Sequence, residues 1–173
     1  MSRTPADLVN AVELAGRGAR LERRLGLSQL PRVGEAGALD GTQVSAQLEF
    51  GIFEDRVTVA VQVHGEVMLP CQRCLRPCAC TLEESATLAA IERDSDEVPG
   101  GYEPLLGDPE RLSVTGVIEE QVLLGLPLVP MHEDAARCGA TAAAPDAATV
   151  DSPADEKQRP FANLRQLLDK GKG

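Results

Sequence analysis

Apolar and polar residues alternate in the middle of the chain. Val44, Ala46, Leu48 and Phe50 alternate with Ser45, Gln47 and Glu49. After a turn at Glu54-Asp55, Val57, Val59, Val61 and Val63 alternate with Thr58, Ala60, Gln62 and His64. Period two with β-branched residues predicts half-buried strands. Gly65 interrupts the second run, and Val67 and Leu69 resume it. A third stretch, from Thr81 to Ile91, places Leu82, Ala86, Leu88 and Ala90 on one parity. The expected product is an antiparallel meander of at least three strands.

The pattern then changes period. Ser113 is a predicted N-cap for a helix over Val114 to Leu126. Val114, Val117, Ile118, Gln121, Val122 and Gly125 share a stripe, widened by Leu124 and Leu126, while Glu119 and Glu120 are expected to point away from it. Pro127 ends the helix, because its ring clashes with the preceding turn. A mainly apolar helix beside a half-buried sheet predicts an α+β domain, with the meander packed against one main helix.

Four regions follow. Residues 1–41 form an N-terminal covering segment, with a short helix over Asp7 to Ala15 and a basic cluster of Arg17, Arg20, Arg23 and Arg24. Residues 42–138 form the α+β core. Within it, Glu92 to Gly101 reads as an acidic, turn-rich surface loop. Residues 139–158 are rich in Ala, Thr, Asp and Pro and read as a disordered linker. Residues 159–173 form a short amphipathic segment, a flexible tail whose Phe161, Leu164, Leu167 and Leu168 fall on one helical face. That face suits either docking on its own domain or binding a partner.

Composition narrows the function. Aromatic residues are 2% of the chain and Trp is absent, so a stacking platform for single-stranded nucleic acid is not expected. The formal net charge is -10, the opposite of a generic phosphate-backbone binder, and DNA is not an expected partner. RNA contact would need a local basic patch or a protein intermediary. No apolar run approaches bilayer length and no signal-peptide pattern opens the chain, so no membrane role is expected and the cytoplasm is the expected compartment. The sequence has no Gly-rich phosphate loop. Its two histidines, His64 and His132, have no hydrolase-like arrangement with a glutamate, so an enzyme is not expected.

The densest chemistry lies in Cys71-Gln72-Arg73-Cys74-Leu75-Arg76-Pro77-Cys78-Ala79-Cys80. Thiols at i and i+3 in a tight loop can present both sulfurs to one zinc ion, which takes four ligands. His132 and Cys138 can complete the set if the helix returns the chain to the loop, and Cys78 and Cys80 are local alternatives. A metal-free reduced turn remains a competing reading. A redox pair is a weaker one, because the pair lies between strands and not at a helix N-terminus.

Three blocks carry a resemblance. They are Cys71-Gln72-Arg73-Cys74 after Leu69-Pro70, the run from Tyr102-Glu103-Pro104 through Glu119-Glu120 and Leu126-Pro127 to Pro130 and Cys138, and Arg159-Pro160-Phe161-Ala162-Asn163-Leu164 with Leu167 and Leu168. In this order the chain resembles the YceD family of large ribosomal RNA subunit accumulation proteins. The resemblance implies a ligand set of Cys71, Cys74, His132 and Cys138 for a structural zinc. It also implies a non-enzymatic role in synthesis, processing or stability of large-subunit (23S) ribosomal RNA. Partner-binding candidates are Arg73 and Arg76 on the knuckle, Glu119 and Glu120 on the helix, and Phe161, Leu164 and Leu168 near the C-terminus. The expected partner is ribosomal RNA or a large-subunit ribosomal protein. The alternative is an acidic adaptor for a basic ribosomal protein, acting on RNA indirectly.

Overall fold

The computed structural model describes residues 7–91 and 97–138. The expected linker and C-terminal segment, with Phe161, Leu164 and Leu168, lie outside the described residues, as do residues 92–96 of the acidic loop.

The valine alternation builds the centre of a five-stranded sheet. Strand β2 (Arg20–Gly26) pairs antiparallel with β3 (Gln43–Phe53), which pairs with β4 (Arg56–Pro70), which pairs with β5 (Pro77–Ile91). A short strand, β6 (Glu103–Leu106), joins β5 in parallel and forms the other edge. Two further short strands, β1 (Leu8–Val9) and β7 (Leu112–Ser113), pair separately. Glu54 and Asp55 both have positive φ, as a two-residue hairpin turn between twisted strands requires.

Register places the predicted apolar positions on one face. Leu48 lies opposite Val61, Phe50 opposite Val59, and Val59 opposite Leu88. All are buried, together with Val44, Ala46, Val63 and Val67. Helix α1 (Ala11–Gly16), helix α2 (Pro31–Glu35) and helix α3 (Val114–Leu124) add Leu14, Val33, Ile118 and Val122 to the same core. Aliphatic side chains thus supply nearly all of the packing, with Phe50 the one aromatic in the buried core among the described residues.

Several expectations shift in detail. The N-terminal segment does more than cover, because the arginine-rich stretch becomes edge strand β2, with Leu21 and Leu25 turned toward the core and Arg20 paired with Glu49 at 3.0 Å. The first helix starts at Ala11, where the Asn10 side chain accepts from Glu13 N–H, and not at Asp7. The third strand begins at Pro77, so Cys78 and Cys80 are strand residues. Helix α3 ends at Leu124, two residues early, and Ser113 caps it by accepting from Gly116 N–H at 3.0 Å.

The largest change concerns Glu119. It does not point to solvent: it is 5% exposed. Its Oε1 accepts from the backbone N–H of Arg32 at 2.6 Å and of Val33 at 3.4 Å, at the start of α2. Helix starts leave such donors unpaired, and a carboxylate satisfies them well. Glu120 stays on the surface and pairs with the Arg32 guanidinium at 2.7 Å. Replacing Glu119 by alanine is expected to cost about 2 kcal/mol, from two buried N–H groups losing their acceptor. Glu119→Gln, which keeps an acceptor oxygen, should recover much of that in urea denaturation. Equal losses would argue against the capping role.

Candidate metal centre

The hairpin between β4 and β5 closes through six residues, Cys71 to Arg76. Cys71 N–H donates to Arg76 O at 2.9 Å and Leu75 N–H to Cys71 O at 2.8 Å. Leu75 takes a positive φ of 60°, which completes the tight bend and leaves its side chain 77% exposed. Arg73 N–H points at Cys71 Sγ from 3.4 Å. The bend therefore turns the Cys71 and Cys74 side chains toward one point.

Pro127 and Pro130 after α3 stop helix formation and carry the chain back to this hairpin. Gln72 N–H donates to Pro130 O at 2.8 Å, and a short 3-10 turn, Ala135–Cys138, brings in Cys138. The donor atoms of Cys71, Cys74, His132 and Cys138 all lie within 4.8 Å of one another. Cys71 Sγ and Cys138 Sγ are 3.9 Å apart. His132 Nδ1 is 3.6 Å from Cys74 Sγ and 3.5 Å from Cys138 Sγ.

These separations can be set against a tetrahedral zinc ion. Zn–S of about 2.3 Å and Zn–N of about 2.0 Å give sulfur–sulfur edges near 3.8 Å and sulfur–nitrogen edges near 3.6 Å. Three of the six edges, 3.9, 3.6 and 3.5 Å, fall close to these values, and all six lie within 4.8 Å. The other ring nitrogen, His132 Nε2, is 3.1 Å from Pro77 O. A carbonyl can only accept, so that nitrogen carries the proton and Nδ1 offers its lone pair inward, as metal-bound histidines do.

Electrostatics differ among the thiols. Burial alone would raise Cys71. Hydrogen bonds from the backbone N–H groups of His132, Arg73 and Cys74 outweigh it and bring the thiol down to about 5. Burial, followed by hydrogen bonding to Cys74 and Cys71, pushes Cys138 up. Burial and the neighbouring Cys80 push Cys78 up to about 11, and its thiol lies against Leu69 O at 3.4 Å. Crowded thiols cannot all ionise together without a cation between them. Cys78 and Cys80 pack beside the cluster but contribute no donor atom to the group of four, which is Cys71, Cys74, His132 and Cys138.

The knuckle also gathers cations that spacing did not bring together. Arg73 lies 3.9 Å from Cys138 Sγ and 3.7 Å from Met131 Sδ, and Arg76 donates to Arg137 O. Arg137 was not singled out from the sequence; its position next to Cys138 was the available signal. Glu119 and Glu120 lie elsewhere, at the α2–α3 contact.

The fold and site define a small α+β domain with a four-donor Cys/His cluster at a hairpin tip, able to hold a metal ion. A model of the family described as large ribosomal RNA subunit accumulation protein YceD matches residues 59–168. A Haemophilus influenzae protein of that same description is 31% identical over 149 residues, covering 83% of this chain and 84% of that protein. The chain belongs to the YceD family. No solved structure matches it. No helix among the described residues is long and apolar enough to cross a membrane.

Proposed function

We propose that this protein is a non-enzymatic cytoplasmic accessory factor in the synthesis, processing or stability of large-subunit (23S) ribosomal RNA. Cys71, Cys74, His132 and Cys138 hold a structural zinc ion that keeps the knuckle rigid. The observation that carries the site reading is the match of three donor–donor separations to tetrahedral edges, with a protonated Nε2 fixing the histidine. The family's description supports the ribosomal role.

A bound zinc would supply a cross-link between the hairpin tip and the chain after α3. Three thiols and an imidazole with no open fourth position suit a structural site and not a catalytic one. Arg73 and Arg76 form the working surface on that corner, since guanidinium groups on a rigid loop suit phosphate oxygens. Glu133 and Asp134 lie in the same returning segment, so the corner is a local contact and not a broad basic face. The second reading, an acidic adaptor for a basic ribosomal protein, draws on the net charge of -10.

The ratio of large- to small-subunit ribosomal RNA in cells deleted for the gene tests the role. A selective fall, restored by the intact chain, is expected. An unchanged ratio under conditions where the protein is made would overturn it. The double substitution Arg73→Glu with Arg76→Glu should fail to restore the ratio while the purified variant stays folded by circular dichroism, with some stability lost along with the Arg76 bond to Arg137 O. Full restoration would remove the knuckle surface from the mechanism and leave the adaptor reading.

A further inference from the structure

Helix α3 and edge strand β6 enclose an open groove of about 600 Å³. Leu88 and Leu105 from the sheet and Val117 and Leu124 from the helix line its apolar walls. Leu124 and Leu106, beside it, are exposed although apolar. In its lining sits Gln121, only 4% exposed. Among the described residues its side-chain amide makes no hydrogen bond, while no fully enclosed side-chain nitrogen or oxygen lacks a partner. The amide therefore opens onto the groove. An amide that opens only onto a groove is satisfied by water or by a polar group of whatever occupies the groove.

The adjoining edge has matching chemistry. β6 is the last strand of its sheet. Gly107 N–H turns inward to Ile91 O. Neighbouring residues in a strand face opposite ways, so Leu106 turns its N–H and carbonyl outward, unpaired, along the groove. Pro104 removes one donor from that edge but leaves its carbonyl.

We propose that this groove binds an extended peptide segment of a partner protein, added as a sixth strand on β6. Its main chain pairs with Leu106. One of its peptide groups meets Gln121, whose amide offers both a donor and an acceptor, the complement of a peptide unit. Its apolar side chains on one parity fill the walls beneath α3. The rim carries Glu103, Asp108 and Glu120 against Arg32 and Arg111, with Arg32 already paired to Glu120. With the chain at -10 overall, the segment carries lysine or arginine at its flanks. This site is separate from the metal knuckle and does not depend on it.

The test uses the full chain and a displayed library of random nine-residue peptides, counter-selected against Leu124→Arg. Leu124 is exposed, so that variant folds while its new cation crowds the groove. Recovered sequences should alternate apolar positions and carry basic flanks. A peptide of the consensus should bind at least tenfold more weakly to Leu124→Arg and to Gln121→Leu. Binding should also slow hydrogen exchange at the Leu106 amide. Gln121→Leu should leave the melting temperature of the free protein unchanged or higher, because the amide has no internal partner to lose. Several outcomes would overturn the proposal: no enrichment, equal recovery on Leu124→Arg, a consensus without Leu106 protection, or a stability loss in Gln121→Leu. Displacement of the bound peptide by a small molecule that leaves Leu106 unprotected would also overturn it and assign the groove to that ligand.

Discussion

Cys71→Ser is expected to abolish zinc binding and to lose a large share of the domain's stability. The parent protein, purified without chelator, should carry one zinc per chain by elemental analysis. The variant should carry far less than one. A metal present at about 1,000 times its dissociation constant contributes about 4 kcal/mol to the folded state. That is a large part of the ~5–15 kcal/mol of a typical domain. Treating the parent with a strong chelator should lower its melting temperature to near that of Cys71→Ser. The variant itself should not respond to chelator. Cys138→Ser should behave in the same way despite lying 67 residues away, because both thiols complete one site. Cys78→Ser should keep its zinc, since Cys78 is outside the group of four. A parent protein without zinc, or one whose melting temperature ignores chelator, would sink the zinc reading. The four side chains would then be a reduced packing cluster.

Gly65→Ala is the second change with a large expected effect. Gly65 sits in the middle of β4, opposite Val44 of β3. A Cβ there would overlap Gln43 O and stand 2.7 Å from Val44 Cα. Both are backbone atoms of the paired strand and cannot rotate aside. The β3–β4 ladder must open locally, at a cost of about 3 kcal/mol or more. For a chain of this size that lowers the melting temperature by about 10 °C. Gly37→Ala is the control. Gly37 has a φ of 100° but nothing within 4 Å of an added Cβ, so only backbone strain opposes the change. Its loss should be nearer 1 kcal/mol. Similar losses at the two sites would mean that close strand approach is not what requires Gly65.

Sequence and structure divide the work unevenly. Local periodicity determined the strands at 43–53 and 56–70, because valine and leucine at every second position leave one buried parity whatever the neighbours are. It also determined α3 and its start, since the Ser113 cap is a contact over three residues. The Cys71–Cys74 pair was legible for the same reason: a spacing of three in a hairpin is local geometry. The remaining two donors were identified by chemical type and by the family resemblance. Their placement depended on the proline-stopped return of the chain to the hairpin, which no local pattern encodes.

Tertiary structure decided what pairing and burial decide. The arginine-rich stretch at 20–26 became an edge strand because β3 offered it a free ladder, and an edge position lets Arg20, Glu22 and Arg24 stay in water. Cys78 and Cys80 were drawn into β5 by pairing with Leu69 and Val67, which took them out of the knuckle loop. β6 formed because β5 extended far enough to receive it. Glu119 was read as a surface charge because it was placed off the apolar stripe of the helix. Its position against the unpaired amides of α2 turned it inward, since a carboxylate that finds two backbone donors is better buried than those donors left alone. The sequence by itself therefore determined strands β3 and β4, helix α3 and the pairing of Cys71 with Cys74 in one tight loop. Long-range hydrogen bonding, which depends on partners far apart in the chain, decided which polar groups face water, which face each other and where the two edges of the sheet lie.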